Sequence, residues 1–247
     1  MGNSELVNHY LQLVREDERA EATEFVYSFE WVQTSHSILD ANYRELRAIP
    51  DRFNHDRHLL HEANQGQKEA LHTEFIQRLH NYLASVKTLV DHTRTFRSRH
   101  VRDEVFDKQW DDRLKQLRED PVVTFLQEFR NPVLHSHLPR VALTTTFPEG
   151  KCIRRQLTIG VAELLRMHDW SVEARRYIET AKEGYYEDKK YIDVTTATTR
   201  YQAAVTAFYS WFYELVGVVK GPLFAEFIAR RTELALLQAT MHREESG

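Results

Sequence analysis

Three residues near the middle of the chain are of types that do chemistry on a phosphate. Arg130, Asn131 and His135 lie within the stretch PVVTFLQEFRNPVLHSHLPR, residues 121–140. An imidazole titrates near neutrality and both takes and returns protons. A guanidinium presents a planar fork of donors to phosphate oxygens, and an amide orients either partner. The element that positions them reads as one helix, opened by Asp120-Pro121 and closed by Leu138-Pro139. Val122, Phe125 or Leu126, Phe129 and Val133 recur at helical spacing and define a buried stripe. Asn131 and His135 fall on one face about 200° from that stripe, where solvent or a partner reaches them. Arg130 stands beside them on a side chain long enough to swing to either. His137 falls within about 40° of the stripe and is expected to be half-buried.

Arg130-Asn131-Pro132-Val133-Leu134-His135 resembles the signature of the HEPN superfamily, small all-helical domains many of which cut RNA. The surrounding FRNPVLHSHLP also looks like a group of bacterial HEPN-like proteins with a short extended segment after the motif. Two other arginine-to-histidine gaps of similar length occur, Arg52 to His58 and Arg94 to His100. Neither has Asn, Asp or His after the arginine. Pro132 departs from a plain helical motif, since a helix-interior proline removes a hydrogen bond and kinks the axis. The resemblance implies a metal-independent endoribonuclease, a toxin or a defence or stress effector, with two copies building one composite site. In that reading Arg130, Asn131 and His135 are catalytic. RNA is the substrate, a homodimer is the working form, and an inhibitory protein partner is expected. No cofactor and no metal are called for, because RNA supplies its own 2′-hydroxyl nucleophile.

Composition limits the alternatives. The 247 residues, 42% hydrophobic and 28% charged, are ordinary for a globular protein. With eight glycines and six prolines there is little material for linkers, so long helices in a single domain over 1–247 are expected. Cys152 is the only cysteine, which excludes an intrachain disulfide and fits a reducing cytoplasm. The start of the chain lacks a basic region followed by a long apolar run, so no secretory signal is expected. The most apolar run, Ala203 to Val219, contains Glu214 and several hydroxyls and reads as a core helix, so no membrane span is expected. A net charge of −4 gives no global attraction to nucleic acid. Between Arg130 and Arg155, however, five positive residues face one negative, Glu149. Arg140, Lys151, Arg154 and Arg155 are therefore the expected RNA contacts.

Along the chain, helices are expected at about 4–15, 21–49, 67–99, 101–119, 161–167 and 171–183. A long one starts near Thr196, is interrupted at Gly221-Pro222 and then continues. Ile49-Pro50-Asp51 reads as a break. After Pro139 the period changes: VALTTTF and CIRRQLTIGV are rich in β-branched residues, with Pro148-Glu149-Gly150 as the turn between them. A β-hairpin over 140–159 follows. On the helix before residue 100, Asp91, His92 and Arg94 point outward as auxiliary candidates for an RNA site. His55, His58 and His61 recur every three residues but drift about 60° per step round a helix, which favours a solvated face over a metal site. The fold class is all-α, a multi-helix bundle with one small hairpin. Two other readings stay open: a non-catalytic HEPN-like binding or scaffold module, and a metal-binding bundle resting on 13 histidines.

Overall fold

A computed structural model describes residues 3–55, 65–146, 154–180, 182–183 and 190–245. Among them are nine helices and four short strands, so the chain is a multi-helix bundle carrying a small sheet. The helices are α1 (Asn3–Glu18), α2 (Glu21–His55), α3 (Gln65–His100), α4 (Glu104–Glu119), α5 (Pro121–His135), α6 (Val161–Met167), α7 (Val172–Glu179), α8 (Val194–Val219) and α9 (Gly221–Glu245). The strands are β1 (Val141–Thr146), β2 (Arg154–Gly160), β3 (Lys182–Glu183) and β4 (Lys190–Asp193).

The frame is set by α2, α3 and α8. Side-chain links run in opposite senses along α2 and α3. Ser35 meets His92 at 2.6 Å, Glu45 meets Arg78 at 2.6 Å and Glu74 meets Arg52 at 2.5 Å, so the two long helices are antiparallel. The third helix, α8, runs alongside α3 in the same direction: Tyr82 bonds Gln202 at 3.2 Å and Thr93 bonds Tyr209 at 2.8 Å. Burial follows the helical period expected of an amphipathic element, with Tyr201, Val205, Phe208, Phe212 and Val216 inside α8 and Glu214 outside. An aromatic cluster of Phe25, Phe29, Phe96, Phe224 and Tyr213 ties α2, α3, α8 and α9 together. At the same end of α2, the buried Asp17 of α1 accepts from Thr23 at 3.0 Å and pairs with Arg231 of α9 at 3.2 Å. A buried carboxylate needs such partners.

Several boundaries differ from the sequence reading, each for a physical reason. Pro50 is buried inside α2, which continues to His55, so the expected break is absent. A proline near a helix end forfeits one backbone bond; packing against the core retains the helix there. The loss of α5 at His135, four residues before Pro139, is the difference that matters most. The N–H groups of Ser136 and His137 both donate to the Pro132 carbonyl, at 2.9 and 2.8 Å, and close the helix. His137 therefore leaves the helical path. It is exposed and not half-buried, because its predicted direction assumed a helix that has already ended.

The hairpin forms as expected, β1 against β2 antiparallel, with Val141 opposite Ile159 and Thr146 opposite Arg154. Its turn, 147–153, lies outside the described residues. Two further strands were not foreseen. The helix expected over 171–183 ends at Glu179, and β3 and β4 extend the sheet in the order β1-β2-β4-β3. At four residues, β4 is too short to display a period of two. Asp193 at its end then caps α8, accepting from the N–H groups of Thr195 and Thr196 at 2.9 and 3.3 Å.

Candidate functional site

Helix α5 is the element that places the motif. Asp120 is its N-cap, accepting from Val122 N–H at 3.0 Å, and Pro121 occupies the first turn. Asp120 is also held by Arg200 of α8, at 3.0 Å. The apolar stripe is buried as read: Val122, Phe125, Leu126, Phe129 and Val133 all face inward. Phe125 stacks on Phe129 at 5.4 Å between centroids, and Trp170 packs on Phe125 at the same distance. Trp170 is itself fixed by a 2.7 Å bond from its indole N–H to the Leu164 carbonyl.

Opposite that stripe, Asn131 and His135 are both exposed. Pro132 is buried, and it turns neither of them into the core. Arg130 takes a different course. Its side chain is half-buried, its Nε has no hydrogen-bond partner among the described residues, and it lines a cavity of about 200 Å³ bordered by α2, α3, α4, α5 and α8. Within one chain, then, Arg130 is directed inward and His135 outward.

The auxiliary candidates are divided in the same way. Arg94 joins Arg130 on the cavity, at the exposed end of the wall. Asp91 instead pairs with Lys87 one turn earlier, at 2.5 Å. His92 places Nδ1 2.6 Å from the Ser35 hydroxyl, so it serves the contact between α2 and α3. Arg140 is exposed, and its backbone N–H donates to Glu163 at 2.7 Å, anchoring the start of the sheet to α6. Arg154 and Arg155 sit on β2, opposite Thr146 and Thr145. The placement of their side chains, and Lys151 altogether, lie outside the described residues. So do His58 and His61, while His55 bonds the Asp51 carbonyl at 2.6 Å. Among the described residues no group of three or more His, Cys, Asp or Glu side chains is placed to hold a metal ion. No helix there is long and apolar enough to cross a membrane.

The cavity adds residues that sequence reasoning did not single out: Arg97, Arg118, Gln127, Tyr201 and Tyr209. They come from four different helices, α3, α4, α5 and α8. Only the spacing of Arg94 and Arg97, three apart on one face, was a readable signal. Burial pushes the Tyr201 phenol up to about 12, with the positive charge of Arg130 and a hydrogen bond with Gln127 pulling the other way. Tyr209 is raised further still by burial, opposed chiefly by its bond with Thr93. Both phenols are neutral at physiological pH, so the arginines set the sign of the cavity.

Compared with protein-family models, with curated proteins and with solved structures, the chain matches none.

Proposed function

We propose that the protein is a metal-independent endoribonuclease of the HEPN type, acting as a homodimer through the outer face of α5. The observation that carries this reading is the joint exposure of Asn131 and His135 on the last two turns of a helix whose other side is packed. His135 takes the proton of a ribose 2′-hydroxyl as that oxygen bonds to the adjacent phosphorus. The bond to the 5′-oxygen breaks, and an imidazolium returns a proton to the departing oxygen. Arg130 rotates from the cavity wall toward the phosphate, or meets the phosphate bound by the second copy, and offsets charge developing on its oxygens. A two-fold axis beside α5 puts both copies of the outer face in one cleft.

The experiment is cleavage of a defined RNA in the presence of a chelator. The expected products carry a 2′,3′-cyclic phosphate and a 5′-hydroxyl, and a single 2′-deoxy sugar at the cut site blocks that cut. Light scattering is expected to give a dimer. Intact RNA after incubation with a confirmed dimer would sink the reading.

The position of Arg130 favours a second reading, a non-catalytic helical binding module. An arginine gathered with three others around a cavity is arranged for holding an anion and not for assisting His135. Equal cleavage rates, or none, for wild type and for His135→Ala select this alternative.

A further inference from the structure

The cavity behind α5 has two unlike parts. Its floor is apolar, with Val86 and Leu89 from α3 and Val205 and Phe208 from α8. Its polar wall holds Arg94, Arg97, Arg118 and Arg130, and among the described residues no aspartate or glutamate lines it. Arg97 is already compensated. It donates to Asp107 through Nε at 3.1 Å and through Nη2 at 2.7 Å, and it lies 5.1 Å over the Trp110 ring. Arg94, Arg118 and Arg130 form none of the ion pairs found among the described residues.

Arg94 and Arg118 are exposed at the rim, where solvent screens their repulsion, whereas a buried donor without an acceptor is costly. Arg130 Nε is such a donor. The hydroxyls nearby do not relieve it. Thr93 donates to the Leu89 carbonyl at 2.7 Å, which leaves its oxygen to accept from the Tyr209 hydroxyl at 2.8 Å. That pair is satisfied internally, and recognition falls to the guanidinium groups.

We propose that this cavity binds a small amphipathic carboxylate, its head held by Arg94, Arg118 and Arg130 and its body resting on Val86, Val205 and Phe208. A planar carboxylate matches the paired donors of a guanidinium. A bare inorganic anion would leave the apolar floor unused and would lose hydration against it. At about 200 Å³ the space exceeds the roughly 150 Å³ apolar cavity that accommodates benzene. A body of one ring or a short aliphatic chain therefore fits. The proposal shares Arg130 with the ribonuclease reading but makes no use of His135, and the variant that tests it leaves Arg130 intact.

Calorimetric titration of the full chain with octanoate, with octanol and with inorganic phosphate tests it. Octanoate is expected to saturate one site per chain, with octanol and phosphate each at least about tenfold weaker, since each retains only one half of the recognition. The double variant Arg94→Gln/Arg118→Gln alters two exposed side chains, so folding, checked by circular dichroism, is retained. Its octanoate affinity should fall by roughly 10- to 100-fold, the range for losing a hydrogen bond to a charged group. Octanol binding should not change. Octanoate that fails to saturate, octanol or phosphate binding as tightly as octanoate, or a double variant with unchanged octanoate affinity would each overturn the proposal. RNA cleavage measured separately reports on the other reading alone.

Discussion

Asn131 and His135 near the end of α5, and Gln127 and Arg130 just before them, are at most eight residues apart and sit in unlike surroundings. The first pair meets solvent. The second pair borders a cavity, and its charge acts on a buried phenol. Five helical steps separate Arg130 from His135 by about 140°, so one helix divides the motif between solvent and the cavity wall. A linear motif read on a helix thus specifies the residues available, while packing decides which of them share a volume. For one phosphate to touch both, either the arginine must reach around the helix or a second copy must supply the missing group.

The strongest way to break that comparison is His135→Ala, assayed on RNA. The expected loss is roughly 10²- to 10⁴-fold in rate, the usual worth of a general acid–base group. The melting temperature should not move, because the side chain is exposed. A lowered melting temperature with an unchanged rate would assign His135 to structure and remove the outer face from the chemistry.

Phe129→Ala tests the packed side. Its ring is 1% exposed and stacks on Phe125 and Trp170, at 5.4 and 6.5 Å between centroids, and those two rings also touch each other. Removing it should cost about 3–5 kcal/mol of stability, read from denaturant unfolding. A loss under about 1 kcal/mol would mean that α5 is not anchored by this stripe, and the division of its faces would lose its basis.

Asp120→Ala should have a smaller effect. It removes the cap of α5, a loss of about 0.5–2 kcal/mol, together with the partner of Arg200. Because that pair is substantially exposed, most of the loss is assigned to the cap. Asp120→Asn, which keeps the capping oxygen, should recover most of it; if Asn is as damaging as Ala, the ion pair matters more than the cap.

The last prediction concerns pH. Burial lowers the imidazole pKa of His36, against the opposing pull of Asp40, and burial likewise lowers that of His100. Between each lowered folded value and about 6.5, the unfolded chain binds more protons than the folded one. Stability contributed by the neutral rings is therefore present above about pH 6.5 and declines as pH falls through that window. Thermal melts from pH 7 to pH 5 should show the decline, and His36→Gln should flatten it. A His36→Gln profile parallel to wild type would show that this ring does not drive the decline.

Much of the fold was legible because it depends on local pattern. The stripe Val122–Val133, the core face of α8, the strands flanking Pro148-Glu149-Gly150 and the interruption at Gly221-Pro222 all follow from period and punctuation. The exposure of Asn131 and His135 followed from the same period. What the sequence could not determine depends on contacts distant along the chain. Pro50 stays helical because the core holds it, and β4 exists because β2 offers it an edge. His137 points outward because two N–H groups converge on the Pro132 carbonyl and end the helix early. Arg118 and Arg130 join Arg94 and Arg97 on one cavity only because α3, α4 and α5 pack around α8, and beyond the i, i+3 spacing of Arg94 and Arg97 no linear pattern announces it. Hydrophobic periodicity is carried by neighbours three and four residues apart, whereas convergence of charge depends on how whole helices pack, and only the tertiary structure decides that.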